Sequence, residues 1–389
     1  MRITFVQYGD FREAVMRFAG GGDETYASQR YSVDSVMQLK QRAEDVCVIS
    51  VTETPYEERL ENGVRVLGRH LYETTTAAEL VALVAAQRPT HVVARSPIVP
   101  LLRWSLGHGV KTLPIFATSF PNEGLRTAFR YRRVAWVLNH HAVRWVGNHN
   151  KNSARALARI GVKPGKIIPW DWPAQVTPRE YAAKRRDDPR APLSLFYAGR
   201  VQETKGIGEA IQAVAALRKG GLDVSFSIAG SGEVDRYQAL SAELGVADHV
   251  RFLGLIPHKD VVGAMHAHDL VVVPSRHAYP EGLPLTIYDA YCSRSPLIAS
   301  DHPMFREAVV HGSAALVFRA ADAHALEQRI AEVASDPALY ARLSESSEAA
   351  WDRIQIPVRW RDLLERWLSD TEQDRRWLAE RSLASGRYD

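Results

Sequence analysis

Two cations stand five residues apart in Tyr197-Ala-Gly-Arg200-Val-Gln-Glu-Thr-Lys205-Gly206. They follow an apolar run, Leu193–Ala198, that reads as a strand, and they precede a segment with helical spacing. A guanidinium clasps two oxygens at once, an ammonium adds a mobile point charge, and Gly206 permits close backbone approach, so the layout suits an anion. The same residues would also make an ordinary charged turn.

A second segment, Pro274-Ser275-Arg-His-Ala-Tyr-Pro-Glu281-Gly282-Leu283-Pro284-Leu285-Thr286-Ile-Tyr-Asp289, follows the most apolar strand of this half. Pro284 suits the first turn of a helix. The amides across Gly282–Thr286 would then be unpaired helix-start donors, ready for phosphate oxygens. Glu281 lies just before them and Asp289 about a turn into the helix. A phosphate repels a carboxylate, so these acids need another task, and sugar or ribose hydroxyls supply one. A capped surface turn is the plain alternative.

The third segment, Ile228-Ala-Gly230-Ser-Gly232-Glu233, places Gly-x-Gly after a strand, a weak signal alone. A dinucleotide fingerprint would need a third glycine where Asp235 stands, which counts against an NAD site. Gly20, Gly21 and Gly22 are read as a loop after the first strand that admits a ligand or merely turns. His266-Ala-His268-Asp269 resembles a metal cluster, but its place between helix and strand favours a structural role. No Asp-x-Asp triplet occurs, which argues for chemistry without a metal ion.

These segments must sit on elements that hold them. In the second half, strands at Leu193–Ala198, 224–228, 250–253, 270–273, 296–299 and 315–318 alternate with helical spacing at 207–215, 261–265 and 326–333. That alternation implies a parallel, doubly wound sheet. The first half repeats the theme with strands at 3–6, 46–51, 91–94, 113–116 and 142–146, and helices near 32–43, 77–87, 125–138 and 150–160. Residues 176–192, charged and proline-bearing, read as a linker. Trp360, Leu363, Leu364, Trp367 and Leu368 form an amphipathic terminal helix, and a charged tail follows.

The chain has 389 residues, 46% hydrophobic and 24% charged, a globular composition large enough for two domains. The segment Met-Arg-Ile-Thr-Phe-Val reads as a buried strand rather than a secretory signal. No apolar run reaches membrane-spanning length. The two cysteines, Cys47 and Cys292, lie in apolar segments, which argues against a disulfide framework and fits a reducing cytoplasm. From Arg95 to Lys166 there are thirteen Lys/Arg and one acid, Glu123, so this block carries +12 while the whole chain carries +4. The asymmetry points to an anionic partner of the first half, such as a phosphate, an acidic glycan or a membrane surface; the alternative is a solvated basic face. Arg126, Arg130 and Arg133 share one stripe of the 125–138 helix. No nucleic-acid motif accompanies the charge.

Taken in order and spacing, Gly-Arg200…Lys205-Gly, Gly230-x-Gly232, Val-Arg-Phe-Leu-Gly254, Asp269…Pro-Ser275, and Glu281-Gly with an acid eight residues on resemble glycosyltransferase family 4, the group 1 transferases of the GT-B fold. The resemblance covers about 193–333; the first 175 residues agree only in layout. It implies two Rossmann-like doubly wound domains facing across a cleft: 1–175 for the acceptor, 193–355 for the nucleotide-sugar donor, and 356–389 returning to the first domain. It implies a retaining, metal-independent hexosyltransferase using a nucleotide-diphosphate sugar and no cofactor, acting on a glycan or lipid-linked acceptor at the cytoplasmic side of a membrane. Arg200 and Lys205 would bind the diphosphate, Glu281 the transferred sugar, and the amides of Gly282, Leu283, Leu285 and Thr286 around Pro284 the phosphate. Asp289 would take the ribose, and Gly230, Gly232 and Ile256 would border the base. Gly21, Gly22, Thr118 and Ser119 fall on the acceptor side, and Arg126, Arg130 and Arg133 on the anion-facing surface.

The sequence departs from the family at several places. Asp289 stands where glutamate is usual, Thr118-Ser119 where a histidine is common, His302-Pro303 where a Gly-Gly pair often precedes the later Glu307, and Trp170-Asp171-Trp172 where an Asn-Gly turn is usual. Trp170 and Trp172 are expected to pack rather than bind sugar. Another GT-B enzyme, such as an epimerase or phosphorylase, and a non-catalytic nucleotide-sugar binding module are the alternatives.

Overall fold

The computed structural model describes residues 1–70, 76–121 and 124–388; Glu123 lies outside them. The chain divides into two compact units. The first is Met1–Glu24, Ser28–Pro173 and Ile356–Asp389, and the second is Thr25–Ala27 and Ala174–Gln355.

The first unit is built on eight strands: β1 (Arg2–Gln7), β2 (Asp45–Val51), β3 (Tyr56–Arg59), β4 (Arg65–Arg69), β5 (His91–Ala94), β6 (Lys111–Phe116), β7 (Val146–His149) and β8 (Ile167–Trp170). Their order across the sheet is β3-β4-β2-β1-β5-β6-β7-β8. All neighbours are parallel except β3, which lies antiparallel against β4. Val46, Cys47, Val48 and Ile49 are wholly buried, as expected where helices cover both faces of a parallel sheet and leave near-continuous apolar strands. β3 carries Glu57, Glu58 and Arg59, charged side chains that suit an exposed edge.

The strand expected at 142–146 is displaced to Val146–His149. It includes buried Asn148 and His149, whose polarity hides the strand from a reading of apolar runs. Asn148 is accommodated because its side-chain amide donates to the carbonyls of Thr118 (3.0 Å) and Ser153 (2.8 Å).

The 176–192 stretch lies within the second unit. Lys184 Nζ donates to the carbonyls of His266 (2.8 Å) and His268 (2.6 Å), and burial lowers its pKa to about 8. The second unit's strands are β9 (Leu193–Ala198), β10 (Val224–Ala229), β11 (Val250–Gly254), β12 (Leu270–Val273), β13 (Leu297–Ser300) and β14 (Ala315–Phe318). Their order is β11-β10-β9-β12-β13-β14, all parallel. The order reverses between β9 and β12, and in such sheets ligands bind beyond the carboxyl ends of the strands at that point. Leu195, Phe226, Leu270 and Ile298 build a core closed by Ile207, Ile211 and Val214 of the Ile207–Lys219 helix.

The Trp360–Ser369 helix belongs to the first unit. Trp360, Leu363, Leu364 and Trp367 are buried, so the amphipathic stripe packs inward. Trp170 and Trp172 meet edge to face at 4.9 Å, Trp172 stacks on Trp360 at 6.1 Å, and Trp170 Nε1 donates to the Phe116 carbonyl at 3.1 Å. These indoles pack. The tail forms a helix over Glu372–Ala379. No described helix is long and apolar enough to cross a membrane.

Candidate functional site

Three loops meet at the carboxyl edge of the second unit's sheet. Gly199 and Arg200 leave β9, Gly230 and Gly232 leave β10, and the 274–284 stretch leaves β12. Their backbones run on in contact beyond the strands. Gly199 N–H donates to Ala229 O, Val201 N–H to Ser231 O, Glu233 N–H to Val201 O and Gly230 N–H to Gly254 O, at 2.8–2.9 Å. The glycines permit this. A Cβ on Gly230 would lie 1.8 Å from the Gly199 carbonyl oxygen, on Gly232 2.2 Å from that of Val201, and on Gly206 2.1 Å from that of Pro274. The Gly-x-Gly element is therefore a backbone-packing device, whether or not a ligand also approaches it.

Lys205 ends a short 3-10 turn capped by Gly206 at φ +75°. Its Nζ donates to Glu281 Oε2 at 2.5 Å, and the same oxygen accepts the Ser275 hydroxyl at 2.9 Å. Lys205 and Glu281 are largely buried, with side-chain exposures of 12% and 9%. The ammonium also sits 4.1 Å from the centre of the Tyr279 ring. Burial, and then the Glu281 charge, raise the pKa of Tyr279, keeping its phenol neutral. Arg200 is exposed, and no carboxylate among the described residues lies within salt-bridge distance of it.

The helix after this loop is Leu285–Ser293, with Pro284 as its N-cap and no side-chain cap. Pro284 thus stands one position before the first helical turn, and its missing N–H leaves the donors to Leu285 and Thr286, whose amides have no intrahelical partner. Thr286 Oγ1 donates to the Ala198 carbonyl at 3.2 Å, tying the helix start to the end of β9. The Asp289 side chain is largely buried, and its Oδ2 lies 3.4 Å from Nε2 of His258, the first residue of the His258–Ala267 helix. Ile256 is partly exposed after β11.

Spacing gave no sign of the frame around these groups. Arg276 Nε donates to buried Glu209 and its Nη1 to Glu203, both at 2.7 Å; Arg236 bridges Glu203 and Glu233. This network clamps the loops after β9, β10 and β12. His302 Nε2 lies 3.1 Å from the Tyr279 carbonyl, and its Nδ1 accepts from the Met304 amide at 3.2 Å, so the ring is held as the neutral Nε2–H form. Burial lowers its pKa.

The first unit holds the other singled-out residues. Thr118 and Ser119 follow β6, where the Thr118 amide donates to Asn148 Oδ1 at 3.2 Å. Gly21 and Gly22 lie elsewhere than expected: a helix, Phe11–Ala19, intervenes after β1, and the triglycine terminates it. Gly20 N–H donates to Met16 O, Gly21 N–H to Phe18 O and Gly22 N–H to Arg17 O, and Gly21 has φ +78°. Helix termination accounts for these glycines. Arg126, Arg130 and Arg133 are exposed along the Leu125–Leu138 helix. Buried His149, the last residue of β7, pairs with buried Asp171, just after β8, at 3.0 Å, an arrangement without a sequence signal. His266 and His268 are taken by the Ser293 and Ala264 carbonyls and the Ser227 hydroxyl, and Asp269 by Ser194, which makes that cluster structural.

Residues 181–350 match the family model described as glycosyl transferases group 1. Glycogen synthase of Mycobacterium tuberculosis is 30% identical over 206 residues, 52% of this chain and 46% of that protein. The amylovoran biosynthesis glycosyltransferase AmsK of Erwinia amylovora is 26% identical over 155 residues, 39% and 38% of the two chains. The chain thus spans about half or less of these curated relatives. Anabaena HepE, solved with UDP and glucose, superposes with a TM-score of 0.66 at 15% identity, covering 96% of this chain and 99% of that one. Sucrose-phosphate synthase from Thermosynechococcus elongatus gives 0.66 at 17% identity, covering 97% and 100%. At such identity the likeness establishes the fold, which is GT-B.

Proposed function

We propose, for a chain whose residues 181–350 form a group 1 glycosyl transferase domain, that it moves a hexose from a nucleotide-diphosphate sugar to a glycan or lipid-linked acceptor, with retention at the anomeric carbon and without a metal ion. The observation that carries this reading is the buried Lys205–Glu281 pair beside the open amides of the Leu285–Ser293 helix start, at the strand-order reversal of the second unit. We assign residues 193–355 to the donor and 1–175 to the acceptor.

The chemical task is to break the bond between the anomeric carbon and the phosphate oxygen. Arg200, Lys205 and the amides of Leu285 and Thr286 offer preorganised positive potential to the leaving diphosphate. Glu281 binds sugar hydroxyls and Asp289 the ribose, while Gly230, Gly232 and Ile256 border the base. The acceptor oxygen bonds to the anomeric carbon on the face the phosphate leaves, and the acceptor proton passes to the leaving phosphate oxygen. Thr118 and Ser119 lie on the acceptor side, Gly21 and Gly22 being accounted for by their helix end. The basic block suits an anionic acceptor presented at a membrane face.

A thermal-shift screen of nucleotide sugars, beginning with UDP-glucose because HepE was solved with UDP and glucose, tests the donor. A ligand at 100 times its Kd should stabilise by about 2.7 kcal/mol. Transfer and slow donor hydrolysis should persist in EDTA; loss restored by manganese or magnesium would falsify the metal-free mechanism. Donor conversion without any acceptor would identify an epimerase instead.

A further inference from the structure

We propose that the Leu125–Leu138 helix is a membrane-docking surface that seats Leu125, Phe129 and Trp136 in the headgroup–acyl boundary of an anionic bilayer. The proposal deepens the membrane-face reading above and does not depend on the donor site. Leu125 is 91% exposed, Phe129 66% and Trp136 65%. The three fall within about 40° around the helix axis, since 3.6 residues make a turn. The opposite face is fixed to the first unit, because Tyr131, Val134, Ala135, Val137 and Leu138 are buried. The exposed apolar row is therefore held outward.

Arg126, Arg130, Arg132 and Arg133 are exposed around that row. Arg103, from the neighbouring Val99–Gly107 helix, lies 5.8 Å from the Trp136 ring centre. Among the described residues none of these five guanidiniums has a carboxylate within salt-bridge distance, whereas Arg12, Arg65, Arg179, Arg236 and Arg276 all do. Arg130 donates instead to the Tyr131 hydroxyl at 3.3 Å.

The combination selects the partner. A protein interface core is depleted of charge, yet five cations crowd this row. A nucleic acid would use the cations and could stack on the aromatics, but it leaves Leu125 without a task. A bilayer interface uses all of them: aromatic rings lie at headgroup depth, aliphatic tips reach the acyl chains, and arginine stems snorkel to the phosphates. Each cation near an anionic surface adds roughly fivefold in affinity.

The test is co-sedimentation of the full chain with vesicles of phosphatidylcholine alone and of phosphatidylcholine with phosphatidylglycerol. The wild type should sediment with the anionic vesicles only. Both Leu125→Ser/Phe129→Ser/Trp136→Ser and Arg126→Glu/Arg130→Glu/Arg133→Glu should lose at least about tenfold in partitioning. Arg126→Lys/Arg130→Lys/Arg133→Lys should retain most of it. All these side chains are exposed, so melting temperature and UDP calorimetry should match the wild type, which separates failure here from failure of the donor reading. Equal sedimentation with both lipids, or full binding by the serine variant, overturns the proposal. Tight binding to single-stranded RNA that the serine variant keeps and the glutamate variant loses would assign the face to nucleic acid and overturn it too.

Discussion

Lys205 and Glu281, 76 positions apart in the chain, share a 2.5 Å hydrogen bond beneath the Tyr279 ring. The diphosphate ligand and the sugar ligand proposed for this site are therefore bonded to each other before any substrate arrives. An incoming phosphate competes with Glu281 for the ammonium, and a sugar hydroxyl competes with Lys205 for the carboxylate. The two roles are energetically coupled.

This coupling separates the two cations by experiment. Arg200→Ala should lower turnover by about 10²–10³, the usual loss for one preorganised electrostatic donor, with little change in melting temperature because Arg200 is exposed. Lys205→Ala should show a similar kinetic loss and also destabilise the protein by about 3–5 kcal/mol, since it strands a buried carboxylate. In Lys205→Met/Glu281→Gln much of that stability should return. Additive stability losses in the double variant, measured by denaturant unfolding, would refute the coupling.

Glu281→Gln should spare binding of the bare nucleotide diphosphate yet depress transfer, because its proposed partner is the sugar. Asp289→Ala should weaken nucleotide binding itself by about tenfold, the size of one charge-assisted hydrogen bond. Calorimetry with the diphosphate distinguishes them. Abolition of that binding by Glu281→Gln would show the assignment to be reversed.

The glycine loops give a stability prediction independent of ligand. Gly230→Ala places a methyl 1.8 Å from the Gly199 carbonyl oxygen at φ +147° and should cost about 3 kcal/mol or more. Gly221, at φ +89°, has nothing within 4 Å of its would-be Cβ. Gly221→Ala should therefore cost only the left-handed backbone penalty, about 1–2 kcal/mol. Comparable melting temperatures for the two variants would contradict the packing role of the Gly230 turn.

Acid stability should depend on His91, at the start of β5. Burial, and then the nearby Lys111 charge, lower its pKa to about 4, and its ring meets Trp367 edge to face at 5.4 Å. The folded protein keeps this imidazole neutral, whereas the unfolded chain protonates it near its ordinary value. Between about pH 6.5 and 4 the unfolded state binds more protons, so stability is full above that window and falls as pH drops through it. His91→Gln should flatten this part of the profile in unfolding titrations. An unchanged slope would assign the acid sensitivity to other groups.

The doubly wound order of the second unit was legible because β12 and β14 are fully apolar runs, β9 is apolar but for Ser194, and the helices between them carry helical spacing, all local properties of the chain. The first unit was harder to read: Asn148 and His149 break the apolar pattern of β7, and β3 and β4 are rich in charge. By itself the sequence determined the candidate donor residues, since Arg200, Lys205, Glu281 and Asp289 stand at fixed spacings around strand ends. Only the tertiary structure decided which of them touch. The Lys205–Glu281 bond, the Arg276 clamp on Glu203 and Glu209, and the glycine contacts with Gly199, Val201 and Pro274 join loops from different strands, and spacing within one segment carries no information about such distances. The same holds for the Leu125–Leu138 helix. The sequence showed its arginine stripe, but whether Leu125, Phe129 and Trp136 would be the buried side was settled by Tyr131, Val134 and Leu138, which fill the helix's buried face.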